Sequence, residues 1–195
     1  MSHLFLDPRL DTVVAQFGEL PPIQKSENLY TEILSSIVSQ QLSVKAANTI
    51  WKRFISLFPN SIVEPQLVLL ISDDKIREQG ISRPKISYIK GISEAVINGS
   101  LLVDSLHTMT DQEVIDELTK LKGIGKWSAE MILIFSLGRS DIFSLGDLGL
   151  RNAVAKLYGV DRDDLVEIQK ISERWAPNRS LASRYLWKSL DNAPK

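Results

Sequence analysis

Apolar side chains recur along this chain at intervals of three and four residues, and nowhere in a sustained alternation of two. Leu29, Ile33 and Ile37, with Leu34 and Val38 beside them, mark one face of a helix. Val44, Ala47, Trp51, Phe54 and Phe58 mark another, and the polar knot "SQQLS" separates the two. Ile86, Ile89, Ile92 and Val96 repeat the period through "SRPKISYIKGISEAVIN". "TDQE" at Thr110–Glu113 has the form of a capping box and opens a helix with Val114, Ile115 and Leu118 on its apolar side. From Trp127 to Leu137 the chain is apolar almost all round, the pattern of a helix buried at the centre of a protein. "GDLGLRNAVAKLYG" predicts a further helix that stops at Gly159, and "DRDDLVEIQKISERW" and "RSLASRYLWKSL" predict the last two. The stretches "FGELPPIQKSEN" and "FPNSIVEP" read as loops. The fold class that follows is all-α.

Composition narrows the chemistry more than the fold. With 195 residues, 44% of them hydrophobic, the chain can bury a substantial core as one domain or as two lobes. A formal net charge of −1 argues neither for nor against a polyanionic partner, so that question passes to local patches. There is no cysteine, which removes disulfides, thiolate zinc sites, iron–sulfur clusters and a cysteine nucleophile together. His3 and His107 are the only histidines and lie too far apart in sequence to found a histidine metal site. The opening "MSHLFLDPRLD" lacks a basic leader with a long apolar run, and no apolar run reaches bilayer length. The expectation is therefore an intracellular, non-membrane protein.

"LKGIGKW", Leu121 to Trp127, joins the capped helix to the apolar one by a Gly-apolar-Gly turn, the pattern of a helix–hairpin–helix. Gly123 and Gly125 permit backbone angles closed to other residues and let a second backbone approach. Ile124 between them plugs the turn into the core. The amides at the start of the second helix then face outward with the helix dipole behind them, a site that suits a phosphate, with Lys122 and Lys126 adding charge. The plainer alternative is a tight turn with exposed lysines and no ligand, because short glycine motifs recur by chance. Further on, Gly146 and Asp147 stand at the start of "LGLRNAV", where an Asp is most simply a helix N-cap.

Taken together in this order, "LKGIGKWSAEMILIFSLGRSDIFSLGDLGLRNAV" resembles the helix–hairpin–helix and Gly/Pro–Asp region of the DNA base-excision glycosylase superfamily. "SSIVSQQLSVKAANTIW" and "RWAPNRSLASRYLW" resemble its alkylation-repair branch, the 3-methyladenine DNA glycosylases, in a compact form without the additional sheet domain of larger bacterial relatives. The resemblance runs from about Leu29 to Trp187. It implies a two-lobed helical unit over 1–195 with the active-site cleft between lobes. Residues of about 30–140 would form a central lobe holding the hairpin, with 1–29 and 141–195 as the second.

The resemblance also implies roles. Asp147 falls on the catalytic carboxylate, which stabilises the oxocarbenium-like sugar as the N-glycosidic bond breaks and helps orient or deprotonate the attacking water. An alkylated purine already carries positive charge, so its departure requires no strong general acid. Trp127, Trp187, Met131 and Leu148 are placed around the base, electron-rich indoles suiting a cationic ring; core packing is the alternative for Trp127, Trp187 and Met131. Gln41 falls on the residue that fills the space left by an extruded base, with Leu42 one register away and Ser43 near the opposing strand. Gly123, Gly125, Lys126 and Ser128 would bind phosphate. Carbonyls of Thr119, Leu121 and Ile124 would hold a sodium or potassium ion. The branch that also cuts the backbone carries a lysine where this chain has Trp127, which implies a monofunctional enzyme with no required cofactor. A proline often stands shortly before the catalytic Asp in the family, whereas this chain reads "FSLGD".

Across the hairpin and the Asp147 helix, Lys120, Lys122, Lys126, Arg139, Arg151 and Lys156 outnumber Glu130, Asp141 and Asp147, a local basic excess suited to a few phosphates. The expected partner is double-stranded DNA containing alkylated bases, met by a monomer in the cytoplasm, nucleoid or nucleus. Two other readings compete: a non-catalytic helix–hairpin–helix module for damaged or distorted DNA, and a purely structural helical protein.

Overall fold

The computed structural model describes residues 7–191; His3 and the first six residues of the expected second lobe lie outside them. In chain order the helices are α1 (Pro8–Phe17), α2 (Leu29–Ser39), α3 (Val44–Ile55), α4 (Pro65–Leu70), α5 (Asp73–Glu78) and α6 (Arg83–Ile97). They continue with α7 (Asp111–Thr119), α8 (Lys126–Phe135), α9 (Leu148–Tyr158), α10 (Leu165–Glu173) and α11 (Arg179–Asp191). Short 3-10 turns at Pro59–Ser61 and Val103–His107 complete the elements, and no strand occurs among the described residues.

The chain divides into two compact units, Ser26–Ile132 and the combination of Met1–Lys25 with Leu133–Lys195, and it passes between them twice, at Lys25–Ser26 and at Ile132–Leu133. In the first unit, α6 packs on α4, α2 and α5, and α2 also packs on α3. Ile33, Leu34 and Ile37 of α2 and Ile86, Ile89 and Ile92 of α6 are buried, as their period requires. Tyr30 and Ser93 join these two helices by a buried 2.7 Å hydrogen bond. Burial pushes the Tyr30 phenol up to about 12. The capping box of α7 is formed: Thr110 N–H donates to Glu113 Oε2 at 2.7 Å, and Glu113 N–H donates back to Thr110 Oγ1 at 3.3 Å.

In the second unit, α11 packs on α9 and α1 around a core that includes Leu10, Leu150, Val154, Ile168, Trp175, Tyr185 and Leu186. Asp7 ties the start of α1 into this core. Its carboxylate caps the helix through Arg9 N–H and accepts from Tyr158 Oη at 2.6 Å and Trp175 Nε1 at 3.2 Å. Burial alone would raise the Asp7 pKa, but these donors together bring it below the usual carboxylate value.

Two expectations are corrected. Val44 is 80% exposed, because it opens α3 at the tip of the turn after α2 instead of facing the core. The apolar stretch from Trp127 is helical only to Phe135, and both of those aromatics are 45% exposed, so α8 is not buried all round. Helices α4 and α5 are too short to show a clear period in the sequence, whereas α1 does carry one, Leu10, Val13, Val14 and Phe17 at i, i+3, i+4 and i+7, and sequence reasoning missed it.

Candidate active site and nucleic-acid interface

The hairpin between α7 and α8 treats its two glycines differently. Gly123 has φ +95°, and a Cβ there would fall 2.5 Å from Tyr88 Cγ, so both conformation and space demand glycine. Gly125 has no positive φ and nothing within 4 Å of the place a Cβ would take. Gly125 does not use the backbone freedom that glycine permits, and what its missing side chain leaves is open surface. Ile124 is buried between them, as the turn requires. Ala129 N–H donates to the Gly125 carbonyl at 3.1 Å and starts the α8 ladder, which leaves the Gly125 and Lys126 amides ahead of it.

Around these amides Lys122 and Lys126 are exposed, the latter 3.9 Å from Glu130. Ser128 is buried, and its hydroxyl oxygen accepts from Gln40 Nε2 at 3.4 Å. The basic excess read from the sequence is partly consumed internally, since Lys120 pairs with Glu117 and Arg151 pairs with Asp163 at 3.0 Å. Leu121 O accepts Ile124 N–H at 3.1 Å and retains a second lone pair, which is compatible with an oxygen-only cation site.

The turn between α2 and α3 projects. Gln41, Leu42 and Ser43 are exposed, Gln41 has φ +59°, and Ser43 Oγ caps α3 by accepting Ala46 N–H at 3.3 Å. A left-handed backbone at a non-glycine residue costs on the order of 1–2 kcal/mol, so the tip is held in a conformation that a free loop would leave.

In the other unit, Asp147 is the N-cap of α9 and half-buried. Its Oδ1 accepts Leu150 N–H at 2.7 Å and Trp187 Nε1–H at 3.0 Å, two donors that fix the carboxylate from α9 and α11. Asp147 N–H donates to the carbonyl of buried Ser144 at 3.1 Å, and this turn shapes the "FSLGD" loop. Beside the carboxylate, Leu148 is 51% exposed and the Phe135 and Trp187 rings lie 5.7 Å apart.

Sequence reasoning missed Phe135, which follows Trp127 and half-buried Met131 at i, i+4, i+8 along α8. It also missed Gly149, where a Cβ would come within 3.0 Å of Asp147 Oδ1 and 3.4 Å of Trp187 Cδ1. The period of α8 was the signal that could have found Phe135; nothing local marks Gly149. The loop before Asp147 is held to α11 by Asp141. Its Oδ1 accepts Arg179 Nε–H at 2.7 Å and its Oδ2 accepts an Arg179 terminal amine at 2.9 Å.

The profile of the HhH-GPD superfamily of base excision DNA repair proteins matches residues 34–178. DNA-3-methyladenine glycosylase 1 of Schizosaccharomyces pombe is 36% identical over 184 residues, which cover 93% of this chain and 80% of that protein. The solved structure of the Schizosaccharomyces pombe 3-methyladenine DNA glycosylase in complex with abasic DNA is similar with a TM-score of 0.87 and 34% identity. The similarity covers 98% of this chain and 95% of that one. The DNA-3-methyladenine glycosidase of Bacillus halodurans is similar with a TM-score of 0.83 and 38% identity, over 95% of this chain and 86% of that one.

Proposed function

The chain is a member of the HhH-GPD superfamily of base excision DNA repair proteins, and from that premise we propose that it is a monofunctional DNA glycosylase for alkylated purines. Its substrates are bases of the 3-methyladenine and 7-methylguanine type in duplex DNA, turned out of the stack before excision. The names of its relatives support this substrate class. The observation that carries the reading is the Asp147 carboxylate held by Trp187 Nε1–H at 3.0 Å and Leu150 N–H at 2.7 Å, next to exposed apolar and aromatic surface.

In the reaction, the bond from C1′ to the base nitrogen breaks and its electron pair leaves with the base, which becomes neutral. Positive charge gathers on the sugar, where a fixed carboxylate stabilises it; water adds to C1′ and releases a proton. A carboxylate restrained by two donors requires little reorganisation as that charge appears. Trp187, with Phe135 and Leu148, offers a π and apolar surface to a cationic base, and Trp127 and Met131 keep the base-holding role that the resemblance gives them. Gln41, with Leu42 and Ser43 beside it, fills the vacated stack. The amides of Gly125, Lys126 and Ser128 hold a backbone phosphate, with Gly123 shaping the turn.

Carbonyls of Thr119, Leu121 and Ile124 would hold a sodium or potassium ion that stiffens the hairpin and takes no part in bond cleavage. A melting temperature identical in potassium and in tetramethylammonium salts would remove that ion from the account. The protein works as a monomer wherever the genomic DNA lies. No helix among the described residues is long and apolar enough to cross a membrane.

The test incubates the enzyme with N-methylated duplex DNA and follows both free base and covalent adduct under borohydride. Free 3-methyladenine or 7-methylguanine is released and no adduct is trapped, because Trp127 supplies no amine for a Schiff base. An adduct that disappears in Lys126→Ala would make the enzyme bifunctional. Tight binding to damaged duplex without any release would favour the non-catalytic reading.

A further inference from the structure

Gln40, the residue between α2 and the exposed tip at Gln41, is gripped from two directions. The Lys85 ammonium, from the first turn of α6, donates to Val38 O at 2.8 Å and to Gln40 O at 2.7 Å. These are carbonyls at the C-terminal end of α2, where a helix leaves acceptors without intrahelical donors and favours a cation. Gln40 in turn sends its Nε2–H to the Gly123 carbonyl in the hairpin at 2.9 Å, with a longer approach of 3.4 Å to Ser128 Oγ. One continuous path of hydrogen bonds therefore runs from α6 through the base of the tip to the turn of the hairpin. Lys85 is half-buried, so its charge is directed at these carbonyls and away from bulk solvent. Burial lowers its pKa from the usual lysine value.

Within the tip, Leu42 N–H donates to Ser39 O at 3.2 Å and Ser43 Oγ accepts Ala46 N–H at 3.3 Å. Gln41, Leu42 and Ser43 are exposed, and Gln41 sits in the left-handed region at φ +59°, a conformation that persists only when its flanks impose it. We infer that Lys85 and Gln40 form an internal strut that fixes the Gln41 tip against the hairpin, making Lys85 a positioning residue for base extrusion. The inference rests on the reading of Gln41 as the residue that enters the vacated stack. Under it, the group that enters the duplex and the amides that grip the phosphate move as one body. Insertion then draws on phosphate contacts already made instead of paying separately to order a loop.

The probe is a duplex with one tetrahydrofuran abasic site and 2-aminopurine as its 3′ neighbour, whose fluorescence reports insertion at the gap. Affinity for undamaged duplex is measured beside it. Lys85→Met keeps the stem and loses the donors; Gln40→Met loses the amide. Each should lower the equilibrium constant for insertion about tenfold, the scale of a lost hydrogen bond to or from a charged or buried group, while undamaged-duplex affinity stays within about twofold. Lys85→Arg should restore most of the loss. Gln41→Ala should lose insertion as well, and adding Lys85→Met to it should do little more, because both act through one element.

Normal insertion by Lys85→Met and Gln40→Met with a defective Gln41→Ala would overturn the strut and leave the plug standing. Normal insertion by Gln41→Ala would overturn the plug reading and the strut with it. A loss in Lys85→Met that adds fully to that of Gln41→Ala, or equals its loss on undamaged duplex, would mean a general structural role and overturn the inference. If Lys85→Met does not fold, Gln40→Met decides by the same criteria.

Discussion

At the scale of single residues, Asp147 satisfies two demands with one oxygen. Its Oδ1 is the α9 cap through Leu150 N–H and the acceptor for Trp187 Nε1–H, so the ordinary N-cap role and the proposed catalytic role coexist. The pair needs room, and Gly149 provides it. Gly149→Ala would bring a methyl within 3.0 Å of the carboxylate oxygen and 3.4 Å of the indole. The helix preference of alanine over glycine, about 0.5–1 kcal/mol, offsets the strain put on the α9 cap, so the melting temperature should change little. Base release should nonetheless fall about tenfold or more as the pair is displaced. Single-turnover release and thermal melting on one preparation check this opposition, and wild-type release would show that the pair's geometry is not critical. Asp147 was legible in the sequence because glycine, aspartate and the following helix are contiguous. Gly149 and Gln40 were not, because their significance lies with Trp187 and Gly123, far along the chain; the Gln40–Gly123 bond spans 83 residues.

At the scale of elements, the strongly periodic helices α2, α6, α7 and α9 were readable, since each buries one face or carries its own cap. Helices α4 and α5, at six residues each, are shorter than two turns, and their existence depends on packing against α6. The hairpin was readable as a motif but not in its division of labour. Gly123→Ala should unfold or distort the turn, because the added carbon collides with Tyr88 and φ is +95°. Gly125→Ala should keep helical circular dichroism and melting, yet weaken binding to every DNA sequence alike by covering the amides with a methyl. Titration of undamaged duplex at several salt concentrations separates the two. Unchanged affinity and salt dependence in a folded Gly125→Ala protein would reduce the hairpin to a turn.

The clamp between the 140s loop and α11 predicts a pH dependence. Hydrogen bonding from Arg179 holds the Asp141 carboxyl below its usual range, against a smaller opposing effect of burial. A carboxylate whose pKa is depressed on folding stabilises the fold above its unfolded value of about 4 and loses that contribution as pH falls through the lower folded value. Asp141→Asn should therefore cost on the order of 1 kcal/mol at neutral pH, since the pair is only partly shielded from water. The difference from wild type should shrink below about pH 4. Denaturant unfolding at pH 7 and pH 3 measures it; a gap that stays constant with pH would show that the charge of Asp141 is not what stabilises the clamp.

At the scale of the whole molecule, a net charge of −1 on 195 residues is compatible with DNA as a partner because affinity can rest on a few aimed contacts. The sequence overstated how many, since ion pairs within the fold already engage Lys120, Arg151 and, at 3.9 Å, Lys126. Along the sequence of α8, Trp127 falls in the unit Ser26–Ile132 and Phe135 in the other.

The central claim, that Asp147 carries the chemistry, is tested most directly by release of free base from N-methylated duplex by Asp147→Asn. Asparagine is also a good N-cap and nearly the same size, so the helix, the fold and DNA binding should survive. Removing the charge should lower the single-turnover rate by about 10²–10³. Release at the wild-type rate by a folded, DNA-binding Asp147→Asn protein would contradict the account.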